Sequence, residues 1–154
     1  MSIEQRLAEL GLDLPQPAAP VASYVPAVER HGLLHISGQI SFAEDGSLIK
    51  GRLGEDMELD AGIAAARRCG IMLLAQINAA LGSLNRVERI VKLGVFVNSA
   101  PGFTDQPKVA NGASELMEKA FGEAGRHARS AVGVPVLPLG AAVEVDAIVA
   151  VKAD

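Results

Sequence analysis

The spacing of apolar positions switches repeatedly between helical and strand period along this chain, and each switch marks an element. Ile3, Leu7 and Leu10 share one helical face, which predicts a short amphipathic N-terminal helix stopped at Gly11. Leu14 to Pro20 is Pro-rich and reads as an extended connector. Tyr24-Val25 and Leu33 to Ser37 read as two short strands about a turn at Arg30-His31-Gly32, with Gly38 ending the second. Ala43 to Ser47 is a turn, because Gly46 accepts positive φ beside Asp45.

Helical period returns from about Asp60 to Leu81, through Ile63, Ala66, Gly70, Leu73, Leu74 and Ile77. Asp56, Glu58 and Asp60 lie where acids favour the positive end of the helix dipole, and Gly82 follows the last turn. A second helix is predicted from Gln106 to Phe121, capped by Thr104 or Asp105, with Pro107 in its first turn and Gly122 beyond it. Between the helices, Arg89 to Val97 alternates as a strand with Val91, Leu93, Val95 and Val97 on one face. Arg129–Val134 and Ala142–Val151 are strands by β-branched content. The order β-β-α-β-α-β-β predicts an α+β fold, a mixed sheet with two helices packed on one face. Residues 1–20 form the N-terminal helix and connector, and 21–154 a single domain.

Composition narrows the function. A chain of 154 residues with 49% hydrophobic residues is read as one soluble globular domain. Only 3% of residues are aromatic and there is no Trp, so the core is built from Ala, Val, Leu and Ile. A net charge of −4 lacks the basic stripe that nucleic acid requires. The single Cys69 makes no intrachain disulfide and reads as a buried inert thiol, and three scattered His give no metal-ligand spacing. No apolar stretch reaches membrane-spanning length, and residues 1–10 lack the apolar segment of a secretory signal, so a cytoplasmic location is expected.

One residue breaks the pattern. Arg129 opens a strand that is otherwise small and aliphatic, and a guanidinium is costly to bury unpaired. An internal carboxylate, a solvent-filled cleft and a ligand's carboxylate are the three ways to compensate it. In the last strand Val143, Val145, Ala147, Val149 and Val151 share one face, and Glu144, Asp146 and Ile148 the other. If the last two strands pair, Arg129 and Glu144 share the face away from the helices. Such a half-apolar, half-charged face suits a subunit interface, which predicts a homo-oligomer with sites between subunits. Blander roles compete: an Arg129 ion pair with Glu144 or Asp146, Ser37 as a turn cap at Gly38, Tyr24 as a boundary residue. His127 reads as a loop or helix-end histidine able to tune a cleft, His31 and His35 as surface residues, and Arg67-Arg68 as a solvated face.

Ser37-Gly38-Gln39-Ile40, Tyr24 before it, Ala128-Arg129-Ser130-Ala131-Val132, Leu137-Pro138 and Val143-Glu144-Val145-Asp146-Ala147 occur in an order that resembles one family. It is the reactive-intermediate deaminase family, also called the YjgF or L-PSP endoribonuclease family, over roughly residues 20–152. The resemblance implies a chorismate-mutase-like fold, a homotrimer with clefts between subunits, and hydrolysis of 2-imino acids or enamines to 2-keto acids and ammonia without metal or cofactor. Carried onto this sequence, Arg129 holds the substrate carboxylate and Glu144 positions the attacking water. Tyr24, Ser37, Gly38 and Asn111 line the cleft, and Ala131 offers a backbone N–H. The chain departs from the family's best-known deaminases in three places. Residue 131 is Ala where they carry Cys, the stretch 98–109 is longer, and the N-terminal helix and connector are additional. Two other readings stand beside this one: a non-catalytic small-carboxylate binder, and the ribonuclease of the family's label, which the acidic charge and scarce aromatics disfavour.

Overall fold

The computed structural model describes residues 1–20 and 22–154. Helix α1 (Ile3–Glu9) begins with a reciprocal cap: Ser2 Oγ accepts from the Gln5 N–H at 3.1 Å, and Gln5 Oε1 accepts from the Ser2 N–H at 2.8 Å. Strands β1 (Ala27–Arg30) and β2 (Leu33–Ile40) form a hairpin. Its turn residues His31 and Gly32 both have positive φ, 54° and 76°, as a two-residue hairpin turn requires. That turn fixes the register back to Ala27↔Ile36 and stops it at Pro26, which has no N–H to donate. The predicted strand at Tyr24-Val25 is therefore displaced to Ala27–Arg30. Strand β2 also runs on past Gly38, through a bulge between Ile36 and Gln39 that turns the Gln39 side chain into the interior.

Helix α2 (Leu59–Leu81) ends at Gly82, whose φ of 79° is the left-handed cap foreseen. Helix α3 (Gln106–Phe121) has the predicted bounds, with Asp105 in the cap position but making no side-chain bond there. Strand β3 (Val87–Asn98) is bulged between Ile90 and Lys92. Ile90 (1% exposed) thereby takes the inward position and Val91 (37% exposed) points out, which corrects the alternation expected for Val91.

Strands β4 (Ala128–Val134) and β5 (Val143–Val151) complete a five-stranded sheet in the order β1-β2-β5-β3-β4. The fold is α+β, with helices on one face of a mixed sheet, as the order of elements predicts. Strands β4 and β5 do not pair. Strand β3 lies between them, antiparallel to β5 and parallel to β4. Register then decides the faces. Arg129 stands beside Leu93 and Ala131 beside Val95, both buried under the helices, whereas Glu144 stands beside Phe96 and Val132 on the open side. Arg129 and Glu144 thus occupy opposite faces of one sheet, contrary to the expectation that they share one.

The core joins Val143, Val145, Ala147, Val149 and Val151 of β5 to Leu73, Leu74 and Ile77 of α2 and Ala113, Leu116 and Met117 of α3. With so few aromatics, close packing is reached by bringing backbones together. At Gly112 a Cβ would overlap the Ile63 carbonyl and lie 3.0 Å from the Arg67 backbone nitrogen. Gly112→Ala therefore destabilises the protein, by about 3 kcal/mol, the upper range for overpacking, although alanine is the better helix former by about 1 kcal/mol. Urea denaturation checks the sign, and a more stable variant would contradict this packing.

Candidate functional site

The expected site residues fall into two groups. The first gathers at the start of β4 against α3. Arg129 Nη1 donates to Asn111 Oδ1 at 2.8 Å and to Ser114 Oγ at 3.1 Å, and Nη2 donates to the Pro107 carbonyl at 3.3 Å. All three acceptors are neutral, and among the described residues no carboxylate lies within ion-pair distance of Arg129. The ion pair with Glu144 or Asp146 is excluded within the protomer by their placement on the opposite face.

Beside the guanidinium is a cavity of about 240 Å³ lined by Asn111, Ser114, Glu118, Arg126, His127 and Arg129. The His127 ring fixes Ser114. Its Nδ1–H donates to the Gly125 carbonyl at 2.6 Å, so in the neutral ring Nε2 accepts from the Ser114 hydroxyl at 2.9 Å. Ser114 Oγ is then oriented to accept from Arg129. Sequence reasoning missed Ser114; its spacing of three from Asn111 on α3 is the signal that would have found it.

The second group gathers around β5 on the other side. Tyr24, Gly38 and Glu144 line a cavity of about 370 Å³ together with Gln39, Pro138 and Leu139. Gly38 lets the Glu144 carboxylate come close: a Cβ there would lie 2.8 Å from Glu144 Cδ and Oε2, and the carboxylate would have to move aside. Ser37 is outside this lining. Its hydroxyl donates to the Val25 carbonyl at 2.9 Å, and its N–H donates to the Pro26 carbonyl at 2.9 Å, tethering the segment that carries Tyr24. Ala131 is in neither cavity; it follows Arg129 on the helix-bearing face, packed against the core.

Burial pushes the Glu144 carboxyl above the usual range, and the neighbouring Asp146 pushes it further. Asp146 is raised by burial too, opposed by a hydrogen bond from the Gly94 backbone and by Lys92. Burial also raises Cys69, whose thiol donates to the Val143 carbonyl at 3.3 Å, which suits an inert core residue. A further cavity of about 360 Å³, between Arg52, Ser99, Gln106 and Gly133, contains none of the expected residues, and its arginine is engaged by Asn98 and Glu55. Among the described residues no three His, Cys, Asp or Glu side chains converge on one centre, and no helix is long and apolar enough to cross a membrane.

Comparison with known proteins agrees with this architecture. The family model described as "YjgF/chorismate_mutase-like, putative endoribonuclease" matches residues 4–150. Protein TCP17 of Trypanosoma cruzi is 52% identical over 148 residues, covering 96% of this chain and 92% of that protein. The crystal structure of Atu1372 from Agrobacterium tumefaciens is 44% identical with a TM-score of 0.90, covering 97% of this chain and 92% of that one. A Shewanella oneidensis structure titled "putative endoribonuclease" is 35% identical with a TM-score of 0.94, covering 98% of this chain and all of that one. The chain belongs to the YjgF family.

The raised carboxyl of Glu144 has a measurable consequence. The folded state binds this proton more tightly than the unfolded chain, whose glutamate titrates near 4.3. Stability is therefore lost as pH rises from about 4.3 through the raised value, and the penalty persists above it. Glu144→Gln is expected to be more stable than wild type at neutral pH and to lose that advantage below about pH 4. Thermal melts of both proteins across pH check it; parallel curves would place the proton elsewhere.

Proposed function

We propose that this member of the YjgF family hydrolyses 2-imino acids, or their enamine tautomers, to 2-keto acids and ammonia in the cytoplasm, in a cleft completed between two copies of the chain. The observation that carries the reading is the division of the site. Arg129 and Glu144 lie on opposite faces with β3 between them, each beside its own cavity. A small acid touches both only where the Arg129 edge of one protomer meets the Glu144 cavity of another. The exposed Val132 and Val28 on the open face offer apolar surface for such a meeting, and the trimer implied by the family resemblance supplies one.

The chemistry follows from the groups available. Arg129, pre-oriented by Asn111, Ser114 and the Pro107 carbonyl, engages the substrate carboxylate and fixes C2 of the imine. A water held by Glu144 attacks that carbon, and Glu144 takes the water's proton. The raised proton affinity of Glu144 makes it a stronger base than an exposed glutamate. That proton passes from Glu144 to nitrogen; the C–N bond then breaks and ammonia leaves as the carbonyl forms, with Glu144 taking the hydroxyl proton. A protonated imine is already electrophilic, so general acid–base catalysis and positioning carry the step. Tyr24 lines the same cavity, Gly38 admits the carboxylate, and the Ala131 backbone N–H follows Arg129 along β4.

Glu144→Gln is expected to lower the rate of keto-acid release from freshly generated imino acids by about 10²–10⁴-fold, the usual worth of a positioned base. Arg129→Ala is expected to raise KM and lower kcat/KM by a similar factor. Each variant alone is expected to stay at its lowered rate, but mixing the two and reassembling them is expected to recover activity, because some clefts then combine an intact Arg129 with an intact Glu144. Full activity in either variant sinks the reading; failure of the mixture with both variants impaired sinks the shared cleft. RNA cleavage that survives purification and depends on Arg129 would instead favour a ribonuclease.

A further inference from the structure

The wall of the Glu144 cavity is mostly hydrocarbon, and part of it comes from the N-terminal connector. Ala19, Pro20, Ala22, Ile40, Phe42 and Leu139 line it, and its volume of about 370 Å³ falls in the small-molecule range. The connector is fixed from inside. Gln76 on α2, 3% exposed, donates through Nε2 to the Ala18 carbonyl at 3.0 Å and to Gln39 Oε1 at 3.3 Å. Gln39 Nε2 donates in turn to the Ser37 carbonyl at 2.9 Å. Two buried amides thus tie the connector, α2 and the bulge carrying Gly38 into one network.

The opposite lip is Leu139. It holds a φ of 60°, in the left-handed region that glycine and asparagine adopt readily and leucine does not. Its side chain is 66% exposed, so core packing within the protomer does not hold it there. A strained, exposed leucine at a cavity mouth points to the side chain itself having a use.

We propose that this cavity selects substrates by an extended apolar side chain, with Leu139 and the connector gripping the hydrocarbon while the acid end is held at Arg129. The inference rests on the reading of the Glu144 cavity as the substrate cleft. It adds that reading's missing term, the chemical class of the group attached to the imino carbon: an unbranched or branched hydrocarbon, not a second carboxylate or a hydroxyl. A second acid would meet the Glu144 carboxylate, and a hydroxyl would find few partners among Ala, Pro, Ile and Phe.

The chain carries its own reporter. Tyr24 is the only tyrosine, there is no tryptophan, and Tyr24 lines this cavity. Tyrosine fluorescence of the assembled protein is titrated with unreactive straight-chain 2-keto acids, from pyruvate to 2-ketooctanoate, with 2-ketoglutarate as the polar control. The dissociation constant is expected to fall roughly fourfold for each added methylene, the worth of burying one, with 2-ketoglutarate binding worst. In Leu139→Asn, which keeps the left-handed backbone without strain, the dependence flattens while the melting temperature holds or rises. Affinity independent of chain length, or highest for 2-ketoglutarate, overturns the proposal. So does a Leu139→Asn variant that melts lower with the series unchanged, which would assign the leucine to subunit packing. Wild-type deamination with no chain-length preference leaves the Glu144 reading standing and sinks this one. Chain-length-dependent binding with no deamination does the reverse.

Discussion

A permanent positive charge held only by neutral oxygens is the constraint on which the rest of this structure turns. Asn111, Ser114 and the Pro107 carbonyl fix the Arg129 guanidinium in place without cancelling its charge. On the proposed reading the guanidinium is thereby kept for an anion, since a carboxylate can accept from two guanidinium N–H groups in one plane. All three acceptors belong to α3, so the placement of that helix sets the aim of the arginine. The close crossing at Gly112, where α3 meets the α2 backbone, sets the placement of the helix. A close contact of one glycine with the α2 backbone is thus part of what places Arg129.

The carboxylate half is governed by the opposite strategy. Glu144 is desolvated and set near another acid, so its charge is made expensive instead of available. Strand order separates the two strategies. With β3 between β4 and β5, alternate side chains place the arginine under the helices and the glutamate on the open face. Had β4 and β5 been neighbours with Arg129 on the same face, the two charges would pair and neutralise each other. Their separation within the protomer is what leaves both chemically usable.

The helices and four of the five strands were legible because each follows from a local signal, such as helical spacing closed by Gly82 and Gly122; the first strand, read at Tyr24-Val25, forms instead at Ala27–Arg30 beside the His31-Gly32 turn. The oddity of Arg129 was equally legible, since a charge among small aliphatic residues stands out in one dimension. Its face was not. Facing depends on which strand lies beside it, and parallel pairing of β4 with β3 is a long-range fact that parity along one strand does not contain. The bulges misled for a related reason: one extra residue inverts every side chain beyond it, so Ile90 replaced Val91 in the core. Ser37 kept its predicted neighbourhood but tethers backbone instead of lining the cavity; Ser114 was marked only by its spacing from Asn111, and Gln76 and Leu139 carried no signal distinguishing them from ordinary polar or apolar positions.

The hydrocarbon wall and the larger part of the raised proton affinity of Glu144 share one cause. Low-polarity surroundings disfavour the carboxylate and favour an apolar guest, so a cavity built for one is suited to the other. On the proposed reading, a substrate whose side chain fills the space between Leu139 and the connector also expels water from around Glu144. The carboxylate loses hydration that protein dipoles replace poorly, and its appetite for the proton of the one remaining water increases. Binding of the inert end of the substrate then strengthens the base that acts on the reactive end. A short acid that leaves the wall wet gains less of this effect, even though it presents the same imine. Selectivity for the side chain would therefore extend from affinity into the rate of the chemical step, because the group that grips and the group that reacts share one dry surface.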